Sequence, residues 1–277
     1  MADRDEVRRD QVGLGAALRW HAAQVEILAP MVRRTIEWQL TKLGRVARGK
    51  TPQGLRRAFG TLALEIILFA RHRRAVRRAR QMKLPAEPRL HLGCGRNLRP
   101  GWINIDVFVP TADLTLDLRE PLPFPDASIT TIYSEHFIEH IEEEDAVRLV
   151  AECVRVLRPG GLLSVGFPDA EEELQAYAAN DREFFDYVRW RIPSLRDATK
   201  CQIVNYDFRQ RGEHRFIYDL ETMTRMLERA GFREIGPRAF DPTRDSEERE
   251  FETVYVDAVK PSASRGSWAS PPGAAGV

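Results

Sequence analysis

The chain has 277 residues, enough for one large domain with a substantial appendage. An apolar fraction of 43% and a charged fraction of 30% are typical of a globular protein and exclude collagen-like, mucin-like and wholly disordered chains. Three cysteines without a C-x-x-C pair argue against a disulfide scaffold or a cysteine zinc site. The longest apolar run, residues 61–70, is too short to cross a bilayer and no signal-peptide pattern opens the sequence, so we expect a cytoplasmic protein.

The net charge of +1 conceals an uneven distribution of charge along the chain. Residues 1–88 carry 19 Lys/Arg against 8 Asp/Glu, whereas residues 89–277 carry 23 against 33. A basic segment therefore precedes an acidic body. The pattern predicts a flexible start (1–10), a basic helical extension (11–86), an α/β domain (87–260) with an aromatic-rich insertion (169–218), and a disordered tail (261–277).

Predicted helices and strands alternate along the body. Apolar residues at helical spacing predict helices over 55–83, 145–157 and 220–230, the last followed by Gly231. Short apolar runs predict seven strands: 89–93, 102–106, 112–116, 129–134, 162–167, 232–235 and 253–259. This alternation favours an α/β fold with a mostly parallel sheet.

Glycines and carboxylates follow the first three predicted strands. In the run LHLGCGRN a strand leads into a turn that contains Gly93 and Gly95, and glycine lets the backbone take positive φ and approach a ligand closely. Asp106 ends the second strand, where a carboxylate can accept the hydroxyls of a ribose. Asp117 and Leu118 follow the third strand, where they can accept a hydrogen bond from an adenine amino group and offer the base an apolar or amide edge. Three strand ends therefore predict a nucleoside site.

With these motifs the sequence resembles the class I S-adenosylmethionine-dependent methyltransferases, in particular those with a small methyltransferase domain. The resemblance covers about residues 89–260 and is carried by LHLGCGRN, GWINID, LDLREPLPFPDASITTIYSEHFIEHI, ECVRVLRPGGLLSVGFPD, YDLETMTRMLERAGF and ETVYVDAVKP. It implies S-adenosylmethionine as the methyl donor. It also implies a Rossmann-like three-layer sandwich with a seven-stranded, mostly parallel sheet whose last strand, 253–259, is antiparallel.

The resemblance also assigns residues to the parts of the donor. They are Gly93, Cys94 and Gly95 beside the methionine moiety, Asp106 at the ribose, Asp117 and Leu118 at the adenine, and Ser134 and Glu135 near the sulfonium.

Two features depart from the family pattern. His91 stands where an acidic residue is common, and we expect it to be a packed strand residue; Asn97 replaces a common third glycine. Eight residues separate Gly93 from Trp102, too few for the helix that usually joins parallel strands. We therefore expect the helix over 55–83 to cover that part of the sheet.

Histidines supply the candidates for chemistry on the methyl acceptor. An oxygen nucleophile needs a base nearby, most often histidine, and His136 and His214 are the candidates. His136, Glu139 and His140 have i, i+3, i+4 spacing on a predicted helix and, with His214, form a candidate metal set comparable to that of the small-RNA 3′-terminal methyltransferases. The favoured interpretation is metal-free, with His140 packed and Glu139 solvated.

The insertion at 169–218 contains nine aromatic residues and is too long for a plain connection. Two interpretations stay open. It is either an aromatic cap over the donor, which would fit a small or flat organic acceptor, or a helical insertion with its own core.

The segment 61–83 joins an apolar run to seven Lys/Arg. The favoured interpretation is a solvated face that neutralises the acidic body, within one chain or across a homodimer. The second is a peripheral helix on anionic lipid. Contact with nucleic acid is disfavoured, because no aromatic-interleaved RNA-binding motif accompanies the arginines.

The sequence therefore predicts a methyltransferase that acts on an oxygen or nitrogen of a small-molecule acceptor or of a glycan-type or lipid-linked metabolite. One alternative is a metal-assisted RNA methyltransferase. The other is a non-catalytic nucleotide-binding adaptor that is recruited through its basic helix.

Overall fold

The computed structural model describes residues 52–262. The predicted flexible start, the first part of the basic extension and nearly all of the predicted tail lie outside the described residues.

A six-stranded sheet forms the centre of the described chain. Its strands are β1 Arg89–Leu92, β2 Ile103–Ile105, β3 Ile129–Glu135, β4 Leu157–Pro168, β5 Arg233–Arg238 and β6 Thr253–Val259. Their order is β2-β1-β3-β4-β6-β5, and within it β6 runs antiparallel to both of its neighbours. The predicted Rossmann-like α/β fold with an antiparallel last strand is confirmed.

The prediction of a seventh strand over 112–116 is wrong. In this segment Leu114 forms an isolated parallel bridge with Ile105. Asp106 N donates to Leu114 O over 3.2 Å and Leu114 N donates to Asn104 O over 3.1 Å. Leu114 is only 1% exposed, so the apolar pattern of the segment reflects packing at the sheet edge rather than a ladder of hydrogen bonds.

Six α-helices accompany the sheet within residues 52–262. They are α1 Gln53–Gln81, α2 Glu143–Val156, α3 Ala170–Ala179, α4 Arg182–Arg191, α5 Lys200–Arg209 and α6 Leu220–Ala230. The helices α2 and α6 contact each other, and α6 also contacts β5 and β6. The side chain of Asp219 caps the start of α6 by accepting from Thr222 N over 2.7 Å, and Gly231 ends the helix in the left-handed conformation.

The C-terminal half of α1 is attached to the sheet domain. Ala75 and Ala79 are buried in the main core, and His72 Nδ1 accepts a hydrogen bond from Asp117 N over 3.2 Å. No helix lies between β1 and β2. These contacts agree with the expectation that α1 packs on the domain where a crossover helix is missing.

The aromatic-rich insertion is helical and has its own core. Its helices α3, α4 and α5 bury a set of mostly apolar residues against one another: Ala176, Phe184, Phe185, Val188, Leu195 and Ile203. Phe251, which precedes β6, packs against this set, so the insertion is tied to the end of the sheet domain.

Candidate functional site

The turn after β1 has a shape that requires glycine. Gly93 and Gly95 have φ values of +62° and +51°. A Cβ at Gly93 would lie 2.2 Å from Cγ of Phe137, whereas a Cβ at Gly95 would meet nothing within 4 Å. Gly93 therefore makes room for the Phe137 ring, and Gly95 leaves open space at the carboxyl edge of the sheet.

Asp106 ties this turn to the end of β2. Its carboxylate accepts hydrogen bonds from the backbone N–H groups of Gly95 (3.0 Å), Phe108 (2.8 Å) and Val109 (3.1 Å). Burial raises the pKa of Asp106, and these hydrogen bonds oppose the increase. Since a carboxylate has about four acceptor positions, one is left for a ligand such as a ribose hydroxyl. Asp106 thus organises the glycine turn and can also bind.

Asp117 is engaged in an ion pair. Arg119 Nε donates to Oδ1 over 3.0 Å and Nη2 to Oδ2 over 2.7 Å, and the same guanidinium reaches Glu65 of α1 at 2.9 Å. Burial alone would raise the pKa of Asp117, but Arg119 lowers it overall. Leu118 is buried beside it. The predicted adenine-binding residues therefore lie where α1 meets the domain.

Cys94 and Ser134 are both buried. The thiol of Cys94 packs against Val109 and Ala112, and burial raises its pKa to about 12, so Cys94 would meet a ligand through its backbone rather than as a thiolate. Ser134 Oγ is buried without a hydrogen-bond partner among the described residues. An unsatisfied hydroxyl at the end of β3 suits a bound ligand.

Glu135 belongs to a buried polar network. Its Oε1 accepts from the Tyr255 hydroxyl (3.0 Å) and Ser246 N (3.1 Å), and its Oε2 accepts from Ser246 Oγ (2.6 Å). Arg249 donates to its backbone carbonyl over 2.7 Å. The carboxylate therefore holds the segment before β6 against the sheet, and its predicted place near the sulfonium stays a prediction.

His91 is packed inside the sheet. It is 2% exposed, and its ring centroid lies 5.4 Å from that of Tyr133. Burial lowers its pKa to about 3, so the imidazole is neutral.

The segment after β3 brings histidines together with a buried carboxylate. It forms a short 3-10 helix, Ile138–His140, where the sequence predicted the start of an α-helix. Glu139 is 0% exposed, which contradicts the expectation that it is solvated. His136 Nδ1 and His140 Nε2 lie 3.5 and 3.9 Å from Glu139 Oε1, and the His214 ring lies 4.9 Å from that of His140. We call these four side chains the Glu/His cluster.

Burial sets the charges of the Glu/His cluster. It lowers the pKa values of His136 and His140, which keeps both imidazoles neutral at pH 7. Burial alone would raise the pKa of Glu139, but the adjacent imidazoles lower it to about 2. At neutral pH the Glu139 carboxylate is therefore ionised, and the imidazoles of His136 and His140 beside it are neutral. His136 also has a φ of +49°, in the left-handed region that few residues with a Cβ adopt.

A cavity of about 710 Å³ lies between α5, the segment that follows α5 and the domain. His214 lines it, together with Tyr206 and three arginines, Arg209, Arg211 and Arg215. Its volume lies within the range of small-molecule sites. Of the two bases predicted from the sequence, His214 therefore lines a cavity, while Nε2 of His136 is hydrogen-bonded to Thr253 Oγ1 at 2.8 Å.

Comparisons with known proteins agree with the resemblance that the sequence motifs carry. Residues 107–165 match a family model described as a methyltransferase domain. A probable S-adenosylmethionine-dependent methyltransferase of Mycolicibacterium smegmatis is 40% identical over 60 residues, 22% of this chain and 23% of that protein. One of Mycobacterium tuberculosis is 48% identical over 48 residues, 17% of each.

These matches confirm the resemblance to the class I S-adenosylmethionine-dependent methyltransferases. The aligned segments span less than a quarter of the length of these curated relatives.

Solved structures that match this chain share little sequence with it and have low TM-scores. A SAM-dependent methyltransferase from Archaeoglobus fulgidus has a TM-score of 0.40 and 18% identity, covering 71% of this chain and 94% of that one. A possible exported protein from Bordetella parapertussis has a TM-score of 0.38 and 17% identity, covering 95% of this chain and 100% of that one.

No helix within residues 52–262 is long and apolar enough to cross a membrane.

Proposed function

We propose that the chain is a methyltransferase that uses S-adenosylmethionine as its methyl donor. The observation that carries this proposal is the set of groups at the carboxyl edge of three adjacent strands. The glycine turn follows β1, Asp106 follows β2, and the unpartnered Ser134 hydroxyl lies near the end of β3, with β1 in the middle. Open α/β sheets bind nucleotides at this edge.

The residues fit an adenosyl donor in three respects. Gly95 leaves space where a side chain would intrude, Asp106 retains an acceptor position, and Ser134 offers a buried hydroxyl. When bound, the donor supplies a methyl carbon that is already activated for displacement. The contribution of the chain is to orient the two reactants and exclude water. His214 can accept a proton from an acceptor in the cavity that it lines.

The acceptor that we propose is a polar small molecule or glycan-type metabolite, methylated at oxygen or nitrogen. The volume of the cavity supports a ligand of that size. Arg209, Arg211 and Arg215 in its lining favour an acceptor that carries a carboxylate or phosphate group.

Calorimetric titration of the purified chain with S-adenosylhomocysteine, the product form of the donor, tests donor binding. We expect Asp106→Ala to abolish binding. Asp126→Ala should leave it unchanged, since Asp126 is 78% exposed and pairs with Arg155 at the surface. Circular dichroism must show that the Asp106 variant is folded, because it also frees three N–H groups. Unchanged titration of the Asp106 variant would refute the ribose assignment.

Turnover is measured with isotopically labelled donor in cell extract. A labelled small molecule or glycan would support the proposed acceptor class, and labelled RNA would support the RNA alternative. Donor binding without any labelled product would favour the non-catalytic adaptor.

The exposed face of α1 supports peripheral contact with anionic lipid as part of this proposal. Five large apolar side chains at three- and four-residue spacing are 48–66% exposed among the described residues: Leu55, Phe59, Leu62, Ile66 and Phe69. Arginines follow them along the helix, and within residues 52–262 none of the arginines of α1 forms a salt bridge with a carboxylate. Helices that lie on membrane surfaces combine these two features.

A further inference from the structure

The Glu/His cluster contains a buried carboxylate whose oxygens are unsatisfied. Side-chain ligand atoms of Glu139, His140 and His214 all lie within 4.8 Å of one another. Neither Oε1 nor Oε2 of Glu139 has a hydrogen-bond partner among the described residues, although the side chain is completely buried. Buried carboxyl groups are normally hydrogen-bonded, paired with a cation or coordinated to a metal.

Hydrogen bonds to the backbone fix the tautomers of two histidines. His140 Nδ1 lies 3.2 Å from the carbonyl oxygen of Glu213, and His214 Nδ1 contacts the carbonyl oxygen of Asp207. Because a carbonyl oxygen only accepts, each Nδ1 must carry the proton. An imidazole that is protonated only at Nδ1 has a free lone pair on Nε2, and the Nε2 of His140 lies 3.9 Å from Glu139 Oε1.

His136 presents a lone pair to the same carboxylate. The Thr253 hydroxyl donates to the carbonyl of Arg249, so it accepts the hydrogen bond from His136 Nε2 at 2.8 Å. This leaves the unprotonated Nδ1 of His136 at 3.5 Å from Glu139 Oε1. The ring nitrogens of His136 and His140 that face Glu139 are therefore the ones their other hydrogen bonds leave free, and no hydrogen bond joins them to the carboxylate.

We propose that Glu139, His140 and His214 bind a divalent transition-metal ion, with zinc the best match to two imidazoles and a carboxylate. Each histidine donates its other ring nitrogen to a backbone carbonyl, the usual outer-shell support of metal-binding histidine. With metal–ligand bonds of about 2.1 Å, ligand atoms around a tetrahedral metal lie about 3.4 Å apart, so the widest pair must approach by at most about 1.4 Å.

The backbone prearranges these ligands. Glu139 O accepts hydrogen bonds from Arg215 N (2.7 Å) and Phe216 N (3.3 Å), which joins the 3-10 helix to the chain that carries His214. Three protein ligands also leave a coordination position open, and His214 lines the 710 Å³ cavity. The metal would there bind and orient an oxygen of the acceptor, a role that rests on the proposed function. His214 would then be a ligand rather than a base, because both roles use the same Nε2 lone pair.

Metal binding is tested on the full chain after treatment with a chelator, by calorimetric titration with Zn²⁺. We expect one ion per chain and a rise in melting temperature that grows with the zinc concentration. Glu139→Gln and His140→Ala should each weaken binding by at least about 100-fold. The matched control is Glu142→Gln, a 59%-exposed carboxylate three residues further along the chain, which should bind as the wild type does.

A second readout separates metal binding from a merely structural role. Glu139→Gln places an amide N–H₂ among the histidine lone pairs, so we expect the metal-free variant to melt above the metal-free wild type and to gain nothing from zinc. Co²⁺ in the wild-type site should give visible d–d absorption that Glu139→Gln lacks. Absence of saturable binding of Zn²⁺ and Co²⁺, or equal weakening by Glu142→Gln, would overturn the proposal.

The two proposals fail separately. Metal binding without S-adenosylhomocysteine binding would keep the metal site and remove the methyltransferase. Donor binding by a chain that takes up no metal would do the reverse.

Discussion

Gly93→Ala probes the contact between the glycine turn after β1 and the Phe137 ring. The left-handed backbone at φ +62° costs a residue with a Cβ about 1–2 kcal/mol. The new Cβ would also lie 2.2 Å from Phe137 Cγ, and overpacking of this kind costs about 1–3 kcal/mol. We therefore expect Gly93→Ala to lower the free energy of unfolding by about 2–5 kcal/mol and to weaken S-adenosylhomocysteine binding, as the turn is displaced.

Gly95→Ala is the matched control for this substitution. It has a similar backbone at φ +51° but no atom within 4 Å of its Cβ, so it should cost only the conformational term of about 1–2 kcal/mol. Urea unfolding of both variants measures the difference. In a Phe137→Gly background the cost of Gly93→Ala should fall to that of Gly95→Ala, because this change removes both the ring and the Phe137 Cβ, which would lie 2.4 Å from the new Cβ. Equal costs for the two glycine variants, or an undiminished cost without the ring, would refute this reasoning.

Raising the pH from 7 to 9 should lower the free energy of unfolding. Burial raises the pKa values of Glu173 and Glu252, the latter to about 8, so their stabilisation is complete below the ordinary carboxyl pKa and is lost as the pH rises through the folded value. Each group that titrates contributes about 1.4 kcal/mol per pH unit, and Glu173→Gln should reduce the dependence; urea midpoints that are equal at both pH values would contradict this. On α1, Phe59→Ser should reduce flotation with anionic vesicles, whereas Leu174→Ser, similarly exposed on α3, should not. Equal losses would remove the lipid proposal.

Features set by neighbours in the chain could be predicted from the sequence. Gly231 marks the end of α6, and the short spacing between Gly93 and Trp102 predicts that no helix joins β1 to β2. Each depends on backbone chemistry within a few residues. Whether the segment 112–116 forms a strand could not be predicted in this way. An apolar run has the same pattern whether it forms a ladder of hydrogen bonds or a single bridge.

The burial and the hydrogen-bond partners of the site carboxylates could not be predicted, because they depend on residues far away in the sequence. Glu135 binds Ser246 and Tyr255, which are 111 and 120 residues further along the chain. Glu139 is buried, and its backbone is bound by the chain at Arg215 and Phe216. In sequence, a glutamate next to histidines looks the same whether it is solvated or buried, so its spacing indicated the cluster but not its burial.

The chain from His136 to His140 links the glycine turn after β1 to the Glu/His cluster. Phe137 occupies the space that Gly93 leaves free, while Glu139 and His140, two and three residues further on, belong to the proposed metal site. A metal that draws Glu139 and His140 together will shift the backbone that carries Phe137, so donor and metal should affect each other's binding. Thermodynamic linkage requires that zinc change the affinity for S-adenosylhomocysteine by the same factor by which S-adenosylhomocysteine changes the affinity for zinc. Titrating S-adenosylhomocysteine with and without zinc, and zinc with and without S-adenosylhomocysteine, should therefore give the same factor. We expect Phe137→Ala to reduce it toward one; a coupling that survives removal of the ring would have to travel through another part of the fold.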